Sequence, residues 1–166
     1  EVARRVEYAL DYMDLQTYRA RPPRDLSGGE KKRVSIADLL AMESEILLLD
    51  EPAASLDPAG SERLEQVLGR LSDEGRTLVI STHDMDFALR LATRVVVLVA
   101  GKIIADGLPQ AVLSDDAVLR SAQLRRPMLM DVWRTLCVRG LLSVDTPCPA
   151  SVQALARLLD DAAPDA

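Results

Sequence analysis

The feature that most constrains the fold of this chain is the run Ile46-Leu47-Leu48-Leu49-Asp50-Glu51-Pro52. Four apolar residues without polar alternation, stopped by a proline, read as a strand buried on both faces, as in a parallel α/β sheet covered by helices. Thr77-Leu78-Val79-Ile80-Ser81 reads as the next strand, and Thr82-His83 closes it. Between the two, Asp57-Pro58 offers a helix N-cap followed by proline at the first helical position. Leu64, Val67, Leu68 and Leu71 then recur at helical spacing until Gly75 stops the pattern.

The remaining segments arrange themselves around that core. Val2, Val6, Ala9, Leu10 and Met13 form one face of an amphipathic helix reaching about Leu15, and Arg21-Pro22-Pro23-Arg24-Asp25 breaks it. A second helix begins at Ser27 to Glu30 and carries Ile36, Ala37, Leu40 and Ala41 inward. A short helix follows from Asp84 to about Ala92, then two apolar strands joined as a hairpin near Ala100-Gly101. Beyond Pro109 the pattern is helical, near Pro109 to Gln123, Pro127 to Gly140 and Pro149 to Ala162. Leu124, Met128, Leu129, Val132, Trp133, Leu136 and Leu141 are spaced like a buried helical face, and the acidic end after Leu159 reads as frayed.

Composition excludes several classes. The 166 residues, 48% hydrophobic, suffice for about one domain with a real core. The net charge of −6 gives no overall attraction to nucleic acid or anionic lipid, so any phosphate site must be local. Cys137 and Cys148 have neither zinc-site spacing nor a disulfide framework around them and read as reduced structural thiols. The longest apolar run, Val95 to Ala100, is far short of the roughly 20 residues that span a bilayer. The first residue is Glu1 rather than Met, as expected of a segment cut from something longer.

Ser27-Gly28-Gly29-Glu30 has two readings. It is a complete capping box, the serine oxygen taking the third backbone N–H and the glutamate returning to the cap's own N–H. Helix stability alone explains that much. Two glycines in a first turn each cost about 1 kcal/mol against alanine, however, and Lys31 and Lys32 sit unfavourably near the positive end of the helix dipole. An arriving phosphate turns both penalties into gains, since bare backbone N–H groups, dipole and lysines all then attract it. Asp50-Glu51 ends an apolar strand where open α/β sheets place ligands, a pattern by which an Asp holds Mg²⁺ and the next acid orients water. His83 ends the following strand at the same sheet edge, a candidate donor to a phosphate oxygen. Asp57 is fully explained as an N-cap.

Taken together, Leu26 to Glu30 (LSGGE), Ile46 to Pro52 (ILLLDEP), Ser55 to Asp57 (SLD) and Ser81 to Asp84 (STHD) resemble the signature motif, Walker B, D-loop and switch histidine of an ABC-type ATPase, in order and at family-like spacing. The resemblance covers about Val2 to Gly107. More narrowly, RPPRDLSGGEKKRVSIA, ADGLPQAVLSDD and the helical tail resemble the ATPase subunits of energy-coupling-factor importers serving cobalt, nickel or vitamins. Ala53-Ala54 and Asp38 depart from the usual pattern in ways that touch interface packing rather than chemistry.

The resemblance implies a partial P-loop NTPase fold of α/β class, with a helical signature region over 1–43, Walker B to the end of the core sheet over 44–108, and a helical extension over 109–166. It implies ATP and Mg²⁺ as cofactors. Asp50 would hold Mg²⁺ through water, Glu51 would polarise the attacking water as general base, and His83 would contact the γ-phosphate. Ser27, Gly28, Gly29 and Glu30 would face a nucleotide held mainly by a second ABC ATPase subunit, identical or related, in a head-to-tail dimer whose interface Asp57 also crosses. The implied partners are that subunit and an integral membrane transporter subunit, at the cytoplasmic face of the cell membrane, with no nucleic acid.

One part is absent: no G-x-x-x-x-G-K-[ST] loop occurs in the chain, and Gly101-Lys102, followed by Ile103, belongs to the hairpin. The 166 residues alone are therefore expected neither to hold ATP tightly nor to hydrolyse it. Two alternatives remain beside the importer ATPase. A DNA-repair-type ABC ATPase would bring coiled-coil or DNA-binding segments and a basic stripe, and the short runs Arg4-Arg5, Lys31-Lys32-Arg33 and Arg125-Arg126 do not make one. A non-catalytic remnant would only bind a partner subunit through the signature face and tail.

Overall fold

The computed structural model describes residues 1–54 and 56–162. Ser55, first residue of the SLD motif, and residues 163–166 lie outside the described residues. The chain divides into two compact units, Glu1–Thr82 and His83–Ala166. The helices after Pro109 thus share a unit with the hairpin and the short helix before it.

In the first unit, α1 (Val2–Tyr12) leads through a one-turn 3-10 segment to a second one at Pro23–Asp25, followed by α2 (Gly28–Ala41), β1 (Ile46–Asp50), α3 (Pro58–Asp73) and β2 (Thr77–Ser81). The first helix stops at Tyr12 rather than about Leu15, because Asp14 turns into the left-handed region at φ 53°. Met13 and Leu15 are nonetheless buried, whereas Val2 and Val6 at the start of the predicted stripe are exposed. On α2, Ile36, Ala37 and Leu40 are buried and Ala41 only half-buried. On α3 all of Leu64, Val67, Leu68 and Leu71 are buried, each worth roughly 1.5–3 kcal/mol of apolar transfer. Glu74 ties α1 to the end of α3, accepting hydrogen bonds from the Tyr8 and Tyr12 hydroxyls at 3.5 and 3.3 Å, with the Arg70 guanidinium 4.5 Å over the Tyr12 ring. Burial, then the Glu74 charge, pushes the Tyr12 hydroxyl up to about 12.

Strands β1 and β2 pair in parallel with one-to-one register from Ile46↔Thr77 to Asp50↔Ser81. The expectation of burial on both faces is corrected here. Leu47 and Leu49 are buried, but Ile46, Leu48 and Val79 on the other face are 60%, 72% and 53% exposed. The physical reason is coverage: α3, which links the two strands, packs against β2, whereas the face bearing Ile46, Leu48 and Val79 stays open among the described residues.

The second unit holds α4 (Met85–Leu91), β3 (Val95–Val99), β4 (Lys102–Gly107), α5 (Pro109–Ser114), α6 (Asp116–Ala122), α7 (Met128–Val138) and α8 (Val152–Ala162). The hairpin pairs antiparallel, and Ala100 and Gly101, both at positive φ (49° and 76°), make the tight turn that suits strand twist. The expected helix from Pro109 to Gln123 is two helices, because Asp115 adopts an extended conformation and caps α6 through the N–H groups of Ala117 and Val118. The core gathers Leu89, Leu113, Leu119, Met130 and Cys148, with Trp133 and Leu124 packed against it. Met130 therefore fills the place expected of its neighbours, while Met128, Val132 and Leu141 are exposed. The residues after Leu159 continue α8 to Ala162 instead of fraying at once.

Candidate functional site

Two chemically distinct edges of the first unit carry the predicted residues other than His83. At the start of α2, Ser27 is the N-cap in extended conformation (φ −64°, ψ 167°) and the capping box is complete. Ser27 N–H donates to Glu30 Oε2 at 2.6 Å and Glu30 N–H donates to Ser27 Oγ at 3.3 Å. The Ser27 backbone N–H, the largest cause, holds the Glu30 carboxyl below its ordinary 4.5. Ser27 and Gly28 are exposed. A Cβ on Gly28 would meet nothing within 4 Å, whereas one on Gly29 would stand 3.3 Å from Leu56 Cδ2. The first turn thus offers bare backbone on its open side and close packing on the other, a geometry suited to an approaching anion.

At the C-terminal end of β1, Asp50 is exposed and its Oδ1 accepts a hydrogen bond from Ser81 Oγ. Glu51 takes the left-handed conformation at φ 43°, which costs a non-glycine residue of order 1–3 kcal/mol and persists only where its surroundings hold it. Its N–H donates to Ser81 O at 2.9 Å, its carbonyl accepts from Ala54 N–H at 3.1 Å and from Lys32 Nζ at 2.5 Å, and its Oε2 accepts from Thr82 Oγ1 at 3.3 Å. The turn Glu51–Ala54 over buried Pro52 then leads to Asp57, the N-cap of α3, whose Oδ1 accepts from Gly60 N–H at 2.7 Å.

Within this unit the structure therefore brings Asp50, Glu51 and the hydroxyls of Ser81 and Thr82 together and joins α2 to them through Lys32. His83 is the exposed first residue of the second unit, directly after Thr82 and ahead of Asp84, which caps α4 by accepting from Phe87 N–H at 2.9 Å. The roles of Ser81, Thr82 and Lys32 are not visible in the sequence pattern. In-register pairing of two five-residue parallel strands would have set Ser81 opposite Asp50, but nothing in the sequence aims the Lys32 ammonium at the Glu51 carbonyl.

Among the described residues no group of three or more His, Cys, Asp or Glu converges as a metal cage. One exposed carboxylate beside a hydroxyl fits Mg²⁺ only in its usual nucleotide-bound manner, with few protein ligands and the rest from water and phosphate.

With that geometry in view, comparisons with known proteins define the class. The family described as ABC transporter matches residues 1–54. A solved ATP-binding cassette of an ABC transporter in its ADP conformation superposes with a TM-score of 0.66 at 28% identity, over 72% of this chain and 49% of that one. The chain belongs to the ABC transporter ATPases and has their P-loop NTPase fold in part.

Within that family, relatives with energy-coupling names stand out. The energy-coupling factor transporter ATP-binding protein EcfA of Carboxydothermus hydrogenoformans is 42% identical over 159 residues, 96% of this chain and 58% of that protein. The corresponding EcfA2 of Methanospirillum hungatei is 41% identical over 160 residues, 96% of this chain and 40% of that protein. A solved part of the ABC transporter complex cbiONQ from Clostridium perfringens matches with a TM-score of 0.62 at 35% identity, covering 80% of this chain and 53% of that one. The chain spans about half the length of the curated relatives it matches.

Proposed function

We propose that this chain forms the signature and Walker B portion of an ATPase that powers an energy-coupling-factor type importer, carrying metal ions such as cobalt or nickel, or vitamins, through a separate membrane subunit. The observation that carries this is the Asp50-Glu51 edge, where two consecutive carboxylates at the end of a parallel strand are each held by a hydroxyl of the neighbouring strand end. Mg²⁺ and ATP, when bound, supply charge neutralisation and the scissile phosphoanhydride. Asp50, its carboxylate fixed by the Ser81 hydroxyl, would hold the metal. Glu51, oriented by Thr82, takes the proton of the attacking water. His83, next along the chain, donates to the terminal phosphate.

Ser27, Gly28 and Gly29 serve a different nucleotide, one anchored on a second ATPase subunit, with Glu30 holding the cap that presents them and Asp57 crossing the same interface. The peripheral position at the cytoplasmic membrane face follows from that partnership, and no helix among the described residues is long and apolar enough to cross a membrane. Residues 1–108 form the catalytic portion and 109–166 an extension whose exposed apolar side chains contribute to the subunit contact. The open face bearing Ile46, Leu48 and Val79 is where a P-loop-bearing segment packs, since a parallel sheet is stable when both faces are covered.

The test joins the whole 166-residue chain to the portion of the Carboxydothermus relative that it lacks and measures ATP hydrolysis by the chimera and by the chain alone. The chimera is expected to turn over ATP, with Glu51→Gln lowering kcat by about 10²–10⁴-fold, and the chain alone to be inactive. Glu51-dependent hydrolysis by the chain alone contradicts the division of labour. An inactive chimera that still binds its partner subunits favours the non-catalytic reading.

A further inference from the structure

The Glu51 carbonyl is the meeting point of two elements that are distant in sequence. It heads the tight turn Glu51–Ala54 and also receives the Lys32 ammonium at 2.5 Å, from the second turn of α2. The half-buried Lys32 is thereby withdrawn from the phosphate-facing role that its charge suggests, and placed on the backbone of a residue held at φ 43°. A second tie lies one turn earlier, where the close approach of Leu56 to Gly29 seats the start of α2 against the same Glu51–Asp57 segment. Glu51 has its N–H on Ser81 and its carboxylate on Thr82, both from the β2 end, and Lys32 ties its carbonyl to α2.

We propose that Lys32 is a positioning residue: its ammonium locks the left-handed turn at Glu51 to the start of α2, so that displacement of the α2 N-terminus by an anion is transmitted to the Glu51 carboxylate. The positioning rests on the geometry alone, and its consequence for hydrolysis rests on the function proposed above. The lysine acts as an N–H donor to a strained backbone carbonyl and touches no substrate. Binding at the Ser27-Gly28 edge is thereby coupled to the acid edge through the Lys32 side chain, beside the Leu56–Gly29 packing.

Two measurements keep the inference separable from the ATPase reading. In the 166-residue chain without nucleotide, NMR reads the conformation of Glu51 directly, because positive φ gives a strong intraresidue amide–Hα NOE. Lys32→Met is expected to weaken that NOE and to speed amide exchange at Ala54 by about tenfold, the scale of losing a charge-assisted hydrogen bond, while Lys32→Arg preserves both. In the hydrolysing chimera, Lys32→Met is expected to lower kcat by about tenfold with KM within about twofold, and Lys32→Arg to recover most of it. An unchanged Glu51 NOE in a folded Lys32→Met chain overturns the positioning, and an unchanged kcat in an active chimera overturns its transmission to hydrolysis. If the wild-type chimera proves inactive, the ATPase reading fails and the NMR result still decides the Lys32 contact.

Discussion

Helices α2 and α3 begin in the same formal way, each with an extended N-cap residue whose side-chain oxygen takes a first-turn N–H and each with one carboxylate at its start, Glu30 at the third position of α2 and Asp57 as the cap of α3, yet the two beginnings differ in how open they leave the backbone. At α3 the cap is the Asp57 carboxylate, backed by Pro58, and its 2.7 Å bond to Gly60 N–H is so tight that a Cβ on Gly60 would stand 2.7 Å from the same oxygen. There the carboxylate stands at the cap itself and closes over the first turn. At α2 the cap is a neutral hydroxyl with a longer 3.3 Å bond, and Gly28 leaves open space where a side chain would stand. A chain seeking only a stable helix has the α3 solution available a few dozen residues away. The difference teaches that α2 forgoes stability at its start in favour of exposed backbone donors.

The comparison can be broken first at Gly28. Gly28→Trp fills the open side with little to clash against, so the melting temperature is expected to stay within a few degrees while turnover by the chimera falls at least about a hundredfold, the scale of losing a preorganised donor. A tolerated tryptophan would reduce α2 to an ordinary capped helix. Removing the caps gives smaller effects in a defined order: Asp57→Ala is expected to cost about 1–2 kcal/mol in denaturant unfolding, and Ser27→Ala about 0.5–1 kcal/mol, because the Asp57 bond is shorter and charged. The reverse order would mean that α2 depends on its cap more than α3 does.

The smallest effect is the pH dependence of the capping box. Glu30 is held below its ordinary 4.5 by Ser27 N–H, so its contribution is complete above that value and is lost as pH falls through the lowered folded value. Melting curves of the chain and of Glu30→Gln are expected to differ at neutral pH and to converge in acid. Divergence in acid would contradict the sign.

The capping box, the α3 N-cap, the element order and the hairpin turn were legible in the sequence, because each depends on residues a few positions apart. Four adjacent aliphatics at Ile46 to Leu49 look alike whether one face or two are covered, so the exposed face of β1 was invisible. The tail misled for a related reason. Met128 and Met130 differ only in which side of α7 they occupy, and that is set by packing on Leu89, Leu113 and Leu119. The Lys32–Glu51 contact joins residues 19 apart through a turn whose left-handed residue is a glutamate, for which no local rule calls.

The most direct measurement mixes two defective chimeras, one carrying Gly28→Trp and the other Glu51→Gln, each inactive as a homodimer. If the Ser27-Gly28 edge of one subunit serves the nucleotide tended by Glu51 of the other, the heterodimer contains one site free of both defects and ATP hydrolysis returns on mixing. If both edges serve a nucleotide within one subunit, every site in the mixture keeps a defect, hydrolysis stays absent, and the division of α2 and β1 between two sites is wrong.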